Sequence, residues 1–112
     1  MSDLTEKKCV PCEGGARPLT SDEASKLLAD IDRWDINSDA REISRTFKFK
    51  NYYATIAFVN AVAWIAHQDD HHPDMEVSYN TCHIHYSTHA IGGLSENDFI
   101  CAAKINALIK DE

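Results

Sequence analysis

Along "EISRTFKF" the side chains alternate. Ile43, Arg45, Phe47 and Phe49 take one parity, and Glu42, Ser44, Thr46 and Lys48 take the other. Successive residues of a strand point to opposite faces, so this stretch predicts a half-buried strand with three of four inward positions apolar. Such a strand belongs to a sheet covered on one side, which antiparallel sheets tolerate. A short partner strand at Trp34 and Ile36 is expected before it, with Asn37-Ser38-Asp39 as the turn. Further on, "DMEVSY" and "CHIHYST" read as a second strand pair turning at Asn80.

Helical patterns surround these pairs. Thr20 followed by Glu23 forms a capping box, and Ala24, Leu27, Leu28 and Ile31 then keep helical spacing toward an end near Asp32. Asn51 is a good N-cap for "YYATIAFVNAVAWIAHQDD", which is apolar round much of its circumference. That predicts a mostly buried helix, in the core or a subunit interface. Pro73 disfavours helical geometry at His72, so this helix stops just before the double histidine. Ser95 and Asp98 open a last helix with Phe99, Ala102, Ala103, Ile105 and Leu108 on its inner side.

The order α-β-β-α-β-β-α, with two hairpins separated by a helix, predicts an α+β fold. Its expected form is one four-stranded antiparallel sheet with the helices packed on one face. A chain of 112 residues allows one such domain, placed at 20–112. Residues 1–19 hold Pro11, Gly14, Gly15 and Pro18 without a hydrophobic period and read as a flexible arm.

A net charge of −7 argues against direct nucleic-acid binding, which needs clustered Lys and Arg. No apolar run is long enough to span a bilayer, and "MSDLTEKKC" lacks the apolar region of a secretory signal, so a cytoplasmic protein is expected. The four cysteines, Cys9, Cys12, Cys82 and Cys101, are then expected to be reduced. "CVPC" has no strand before it and no second CxxC after it. It therefore reads as part of the arm rather than as a thioredoxin motif or a zinc site.

All six histidines fall between His67 and His89. His67 and His71 have zinc-ligand spacing, but Gln68 stands where a zinc protease needs its glutamate base. His83 and His85 share one strand face, where solvent exposure or cross-strand pairing is the ordinary role. A metal held by this cluster and the CxxC is the competing reading, and it predicts stoichiometric zinc. The favoured reading uses His71, His72 and His89. The hairpin between Asp74 and Thr88 should bring its flanking histidines together, with Asp70 orienting one of them. Imidazoles that titrate near neutrality can supply an acid and a base together. Ser87 and Cys82 have no nucleophile elbow around them, and Gly92-Gly93 lacks the pattern of a phosphate loop.

The pattern His67, "HHP" at 71–73, Tyr79, His89 and Asp98 resembles the pterin-4a-carbinolamine dehydratase family. "STHAIGGLSENDF", "RWDI" and "FKFKNYYATIAFVNAVAWIA" are similar to the family's last loop, first hairpin and central helix. The resemblance implies removal of water from a 4a-hydroxytetrahydropterin, giving the quinonoid dihydropterin, with no metal or organic cofactor. It makes His71 and His89 the acid–base pair and His72 a pterin-binding and proton-transferring partner, all three catalytic. Asp70, Pro73, His67, Ser87 and Thr88 are expected to bind substrate or support the site, while Asp98 reads as a helix cap. A homodimer or homotetramer is implied, and an aromatic amino-acid hydroxylase or a regulatory partner is admitted. His67 and Met75 depart from the family, replacing an acidic residue of many relatives and a bulky aromatic of animal ones. The runner-up function is an interaction module working through the central helix, as animal relatives do with a homeodomain factor.

Overall fold

The computed structural model describes residues 4–10 and 17–109. Among them the elements are α1 (Ser21–Leu28), β1 (Asp35–Ile36), β2 (Ile43–Lys48), α2 (Tyr52–Asp69), β3 (Asp74–Val77), β4 (Thr81–Tyr86) and α3 (Glu96–Asn106). Single 3-10 turns lie at Leu4–Glu6 and His89–Ile91. The sheet order is β1-β2-β4-β3, antiparallel throughout, as the alternation and turns predict.

Two hairpins become one sheet because β2 and β4 pair along their full lengths, from Ile43 opposite Tyr86 to Lys48 opposite Thr81. One parity of these central strands is buried: Ile43, Arg45 and Phe47, with Cys82, Ile84 and Tyr86. The helices cover that face. Arg45 is its single charged member, and its guanidinium carbon lies 4.1 Å from the Phe47 ring centroid. Its Nη1 donates to Asn106 Oδ1 at 2.7 Å, which gives the buried charge a polar partner.

The capping box at Thr20 and Glu23 forms, but α1 ends at Leu28 rather than near Asp32. Asp30 and Asp32 lie at the helix's negative end, where acidic groups oppose continuation. Ile31 still reaches the core from the following turn. Asn51 caps α2 by accepting from the Ala54 N–H at 2.9 Å. Within one chain α2 buries only a stripe, Thr55, Phe58, Val62, Ala66 and Asp69. Tyr53 and Trp64 on its other side are 80% and 60% exposed, so one chain alone does not cover the apolar circumference expected to be buried in the core or an interface.

Helix α3 is enclosed by α1, α2 and the N-terminal turn, and buries an unbroken run from Asn97 to Ala103. Leu108 is not on its inner side. The helix closes at Asn106, and a Leu108 N–H to Ile105 carbonyl bond tightens the chain and turns that side chain outward.

The described N-terminal residues 4–10 pack against the domain. Leu4 joins the core, and Val10 exchanges two hydrogen bonds with the Asn97 side chain, at 3.1 and 2.6 Å. One leucine and a polar clamp hold the segment, so no hydrophobic period is needed. Cys12 lies outside the described residues. Among the described residues, no helix is long and apolar enough to cross a membrane.

Candidate active site

The site begins where α2 ends. Asp70 adopts a left-handed conformation with φ 51°, and its N–H and that of His71 close onto carbonyls of the last helical turn. This C-terminal cap reverses the chain within one residue. Pro73 then starts the chain toward β3, so His71 and His72 occupy a short extended link between helix and sheet.

His71 is the most firmly held of the histidines. Its Nε2–H donates to Asp98 Oδ1 at 2.6 Å, and its ring stacks on Tyr86 with centroids 5.2 Å apart. The Tyr86 hydroxyl donates to the His71 carbonyl at 3.1 Å. Asp98 is fully buried, and its second oxygen accepts from the Ser95 N–H and the Thr88 hydroxyl, both at 2.9 Å. Every bond that fixes Asp98 also fixes His71. Burial pulls the imidazole's pKa down, but the Asp98 hydrogen bond and charge outweigh it and hold His71 above its ordinary value. The carboxylate thus favours the protonated form of the imidazole.

His89 arrives from the other end of the second hairpin. Beyond β4 a bridge between Thr88 and Gly93 folds the chain into a tight loop, with the Thr88 N–H donating to the Gly93 carbonyl at 2.8 Å. Gly92 turns this loop with φ 68°, and Gly93 has no room for a side chain because Pro18 packs against it. His89 stands exposed at the start of the 3-10 turn so formed.

His71, His72 and His89 line one open cleft of about 660 Å³, together with Asp70, Ser87 and Thr88. The structure therefore brings together six of the eight residues singled out from the sequence. The other two, His67 and Pro73, line an adjoining depression of about 350 Å³ that shares Asp70, His71 and His72 with the cleft. The double histidine forms the ridge between the two.

Two features differ from expectation. The carboxylate bonded to a site histidine is Asp98, whereas Asp70 is turned to the surface by its left-handed cap. Asp98 does cap α3, as its position three residues after Ser95 predicts, but its other oxygen faces His71. A buried acid in an otherwise apolar helical face was the available signal. Lys8, Cys9 and Val10 form a further wall of the cleft, and no sequence pattern announced them. His83 and His85 lie on the open face of the sheet, where His83 bonds Thr46 and His85 donates to Glu42 at 3.2 Å. Tyr79 sits exposed at the β3–β4 turn, with its carbonyl accepting from Thr55 at 3.0 Å.

The fold is that of a small α+β domain, and its cleft is lined by polar side chains. The family model described as pterin 4 alpha carbinolamine dehydratase matches residues 17–108, and the chain belongs to that family of hydro-lyases. A relative from Nitrosomonas eutropha, named "Putative pterin-4-alpha-carbinolamine dehydratase", is 63% identical over 96% of this chain and 94% of its own. One from Legionella pneumophila with the same name is 53% identical over 98% of both. A crystal structure of a transcriptional coactivator/pterin dehydratase from Brucella melitensis superposes with a TM-score of 0.78. It is 33% identical, over 82% of this chain and 98% of that one. A pterin dehydratase-like RuBisCO assembly factor of the alpha-carboxysome shares the fold at a TM-score of 0.60 and 21% identity.

Proposed function

We propose that the chain dehydrates a 4a-hydroxytetrahydropterin by histidine acid–base catalysis in the 660 Å³ cleft. The observation that carries this is the convergence of His71, His72 and His89, with His71 backed by a fully buried Asp98.

The reaction needs one proton delivered to the departing 4a-hydroxyl and one removed from a ring nitrogen. The C–O bond breaks as the ring nitrogen's electrons form the new double bond, and water leaves. His71, whose protonated form Asp98 favours, suits the delivery. Its Nε2 is committed to the carboxylate, so Nδ1 serves the cleft. His89 and His72 are exposed, and a neutral imidazole at either position can accept the nitrogen's proton. Ser87 and Thr88 supply polar edges for the heterocycle, and Asp70, His67 and Pro73 border the cleft on its far side.

The substrate's source is a hydroxylase that leaves its tetrahydropterin hydroxylated at carbon 4a, as those acting on aromatic amino acids do, in the cytoplasm. A homodimer or homotetramer fits the exposed Tyr53 and Trp64 of α2, because large aromatics are enriched at interfaces.

The test is the dehydration rate of a synthetic 4a-hydroxytetrahydropterin with wild type and a His71→Ala, His89→Ala double variant. Acceleration by wild type that the folded double variant lacks supports the proposal. Equal rates for both proteins, or no acceleration by folded wild type, would overturn it.

A further inference from the structure

A second reactive cluster lies where the N-terminal segment meets α3. Cys9 Sγ and Cys101 Sγ are 3.6 Å apart, although 92 positions separate them in the chain. Both are free thiols. Cys101 is fully enclosed, while Cys9 is half-buried and lines the histidine cleft, so a small solute can approach the pair from that side. The approach of the two sulfurs is built rather than incidental. The Cys9 N–H donates to Asp69 Oδ1 at 3.1 Å, and Asn97 grips both polar groups of the Val10 backbone.

We infer that Cys9 and Cys101 are a redox pair that closes to a disulfide, tying the N-terminal segment covalently to α3 along the wall of the cleft. Closure requires the sulfurs to reach ~2.05 Å, a further approach of about 1.5 Å. Cys9 lies in irregular backbone and can supply that movement, whereas Cys101 is fixed in a helix.

With a peroxide as oxidant the step balances. The thiolate of the pair attacks one peroxide oxygen, so that an S–O bond forms and the O–O bond breaks. The departing hydroxide takes a proton and leaves as water. The partner thiol then attacks the sulfenic sulfur, forming S–S and releasing the S–OH oxygen as a second water. Two thiols are oxidised by two electrons, and the peroxide is reduced to two waters.

The surroundings favour this over a metal site, though Cys9, Asp69 and Cys101 bring donor atoms within 4.8 Å of one another. Both Asp69 oxygens are already engaged, Oδ1 by Cys9 and Oδ2 by Lys104 Nζ at 2.8 Å. An ammonium at that position repels a divalent cation but favours a thiolate. The hydrogen bond from the Cys9 thiol also holds the Cys101 pKa below its ordinary value, against burial and the Asp69 carboxylate.

The oxidation is independent of the chemistry of the histidines. Its test uses the reduced full-length chain, treated with hydrogen peroxide and alkylated, then mapped without reductant. Trypsin must be followed by a protease that separates Cys82 from Cys101. Cys9 and Cys12 share a tryptic peptide, so the Cys12→Ser variant is mapped beside wild type. The expected result is a Cys9–Cys101 link in both, absent from Cys101→Ser or Cys101→Ala. It should come with a rise of several degrees in Tm, since the bond closes a long loop. A Cys9–Cys12 link in its place, a Cys101 that remains alkylatable, or one equivalent of zinc protecting both thiols would overturn the inference.

Discussion

Asp98 and His71 are 27 positions apart in the chain, and a single 2.6 Å hydrogen bond joins them inside the protein. The same carboxylate accepts the Ser95 N–H at the start of α3. One buried side chain therefore begins a helix and holds a site histidine.

Asp98→Asn should keep an acceptor for Ser95 and Thr88 while removing the charge that favours the imidazolium. We expect the dehydration rate to fall by about 10²-fold, with a smaller change in KM. The His71 pKa should drop as well, which an NMR titration of the ring would read. An unchanged titration would separate Asp98 from the proton chemistry.

The raised pKa of His71 fixes the sign of a stability effect. Its pairing with Asp98 contributes fully below the unfolded pKa of about 6.5 and is lost as pH rises through the higher folded value. The Tm difference between wild type and His71→Gln should thus shrink steadily from about pH 6 upward. A difference that grew with pH would contradict the assignment.

The fold was legible wherever its cause was local. Alternation along Ile43–Lys48, the caps at Thr20 and Asn51, and the turn at Asn80 depend on neighbours a few residues apart, and each element is present. The convergence of His71, His72 and His89 was also legible, because a hairpin brings its own ends together. What escaped was long-range. Asp98 as partner to His71, and Cys9 and Val10 as a wall of the cleft, depend on α3 packing against segments 27 to 92 positions away. No periodicity encodes such contacts. Asp70 looked the better orienter only because it was the nearest acid in sequence.

Asp69 offers an acid-side counterpart. Burial raises its pKa, but the Lys104 ammonium and the Cys9 N–H more than offset this and leave it below the ordinary value. Its contribution to stability is present above the unfolded pKa of about 3.9 and is lost as pH falls through the folded one. Lys104→Met should cost about 2–3 kcal/mol at neutral pH, because a nearly enclosed carboxylate loses its cation. Acid unfolding should then start at a higher pH, and circular dichroism followed along an acid titration would reveal the shift.

The two sides of α2 should respond differently to truncation. Phe58 packs with Phe47 and Phe49 at centroid distances of 4.7 and 4.9 Å, so Phe58→Ala should cost ~3–5 kcal/mol by chemical denaturation. Trp64→Ala removes an exposed ring and should leave the stability of the single chain within about 0.5 kcal/mol. It should instead lower the mass measured by light scattering if copies of the chain associate through this face. An unchanged mass would place the interface elsewhere.

The clamp between Val10 and Asn97 has a consequence for the order of assembly. Cys9 and Val10 precede the strands in the chain, yet Cys101 and Asn97, which they meet, belong to α3 at the far side of the sheet sequence. Strands and histidines are synthesised beforehand, but one wall of the cleft must wait for synthesis to pass Cys101. A nascent chain therefore holds the histidines before it holds the vessel, and the vessel closes only once α3 has been made.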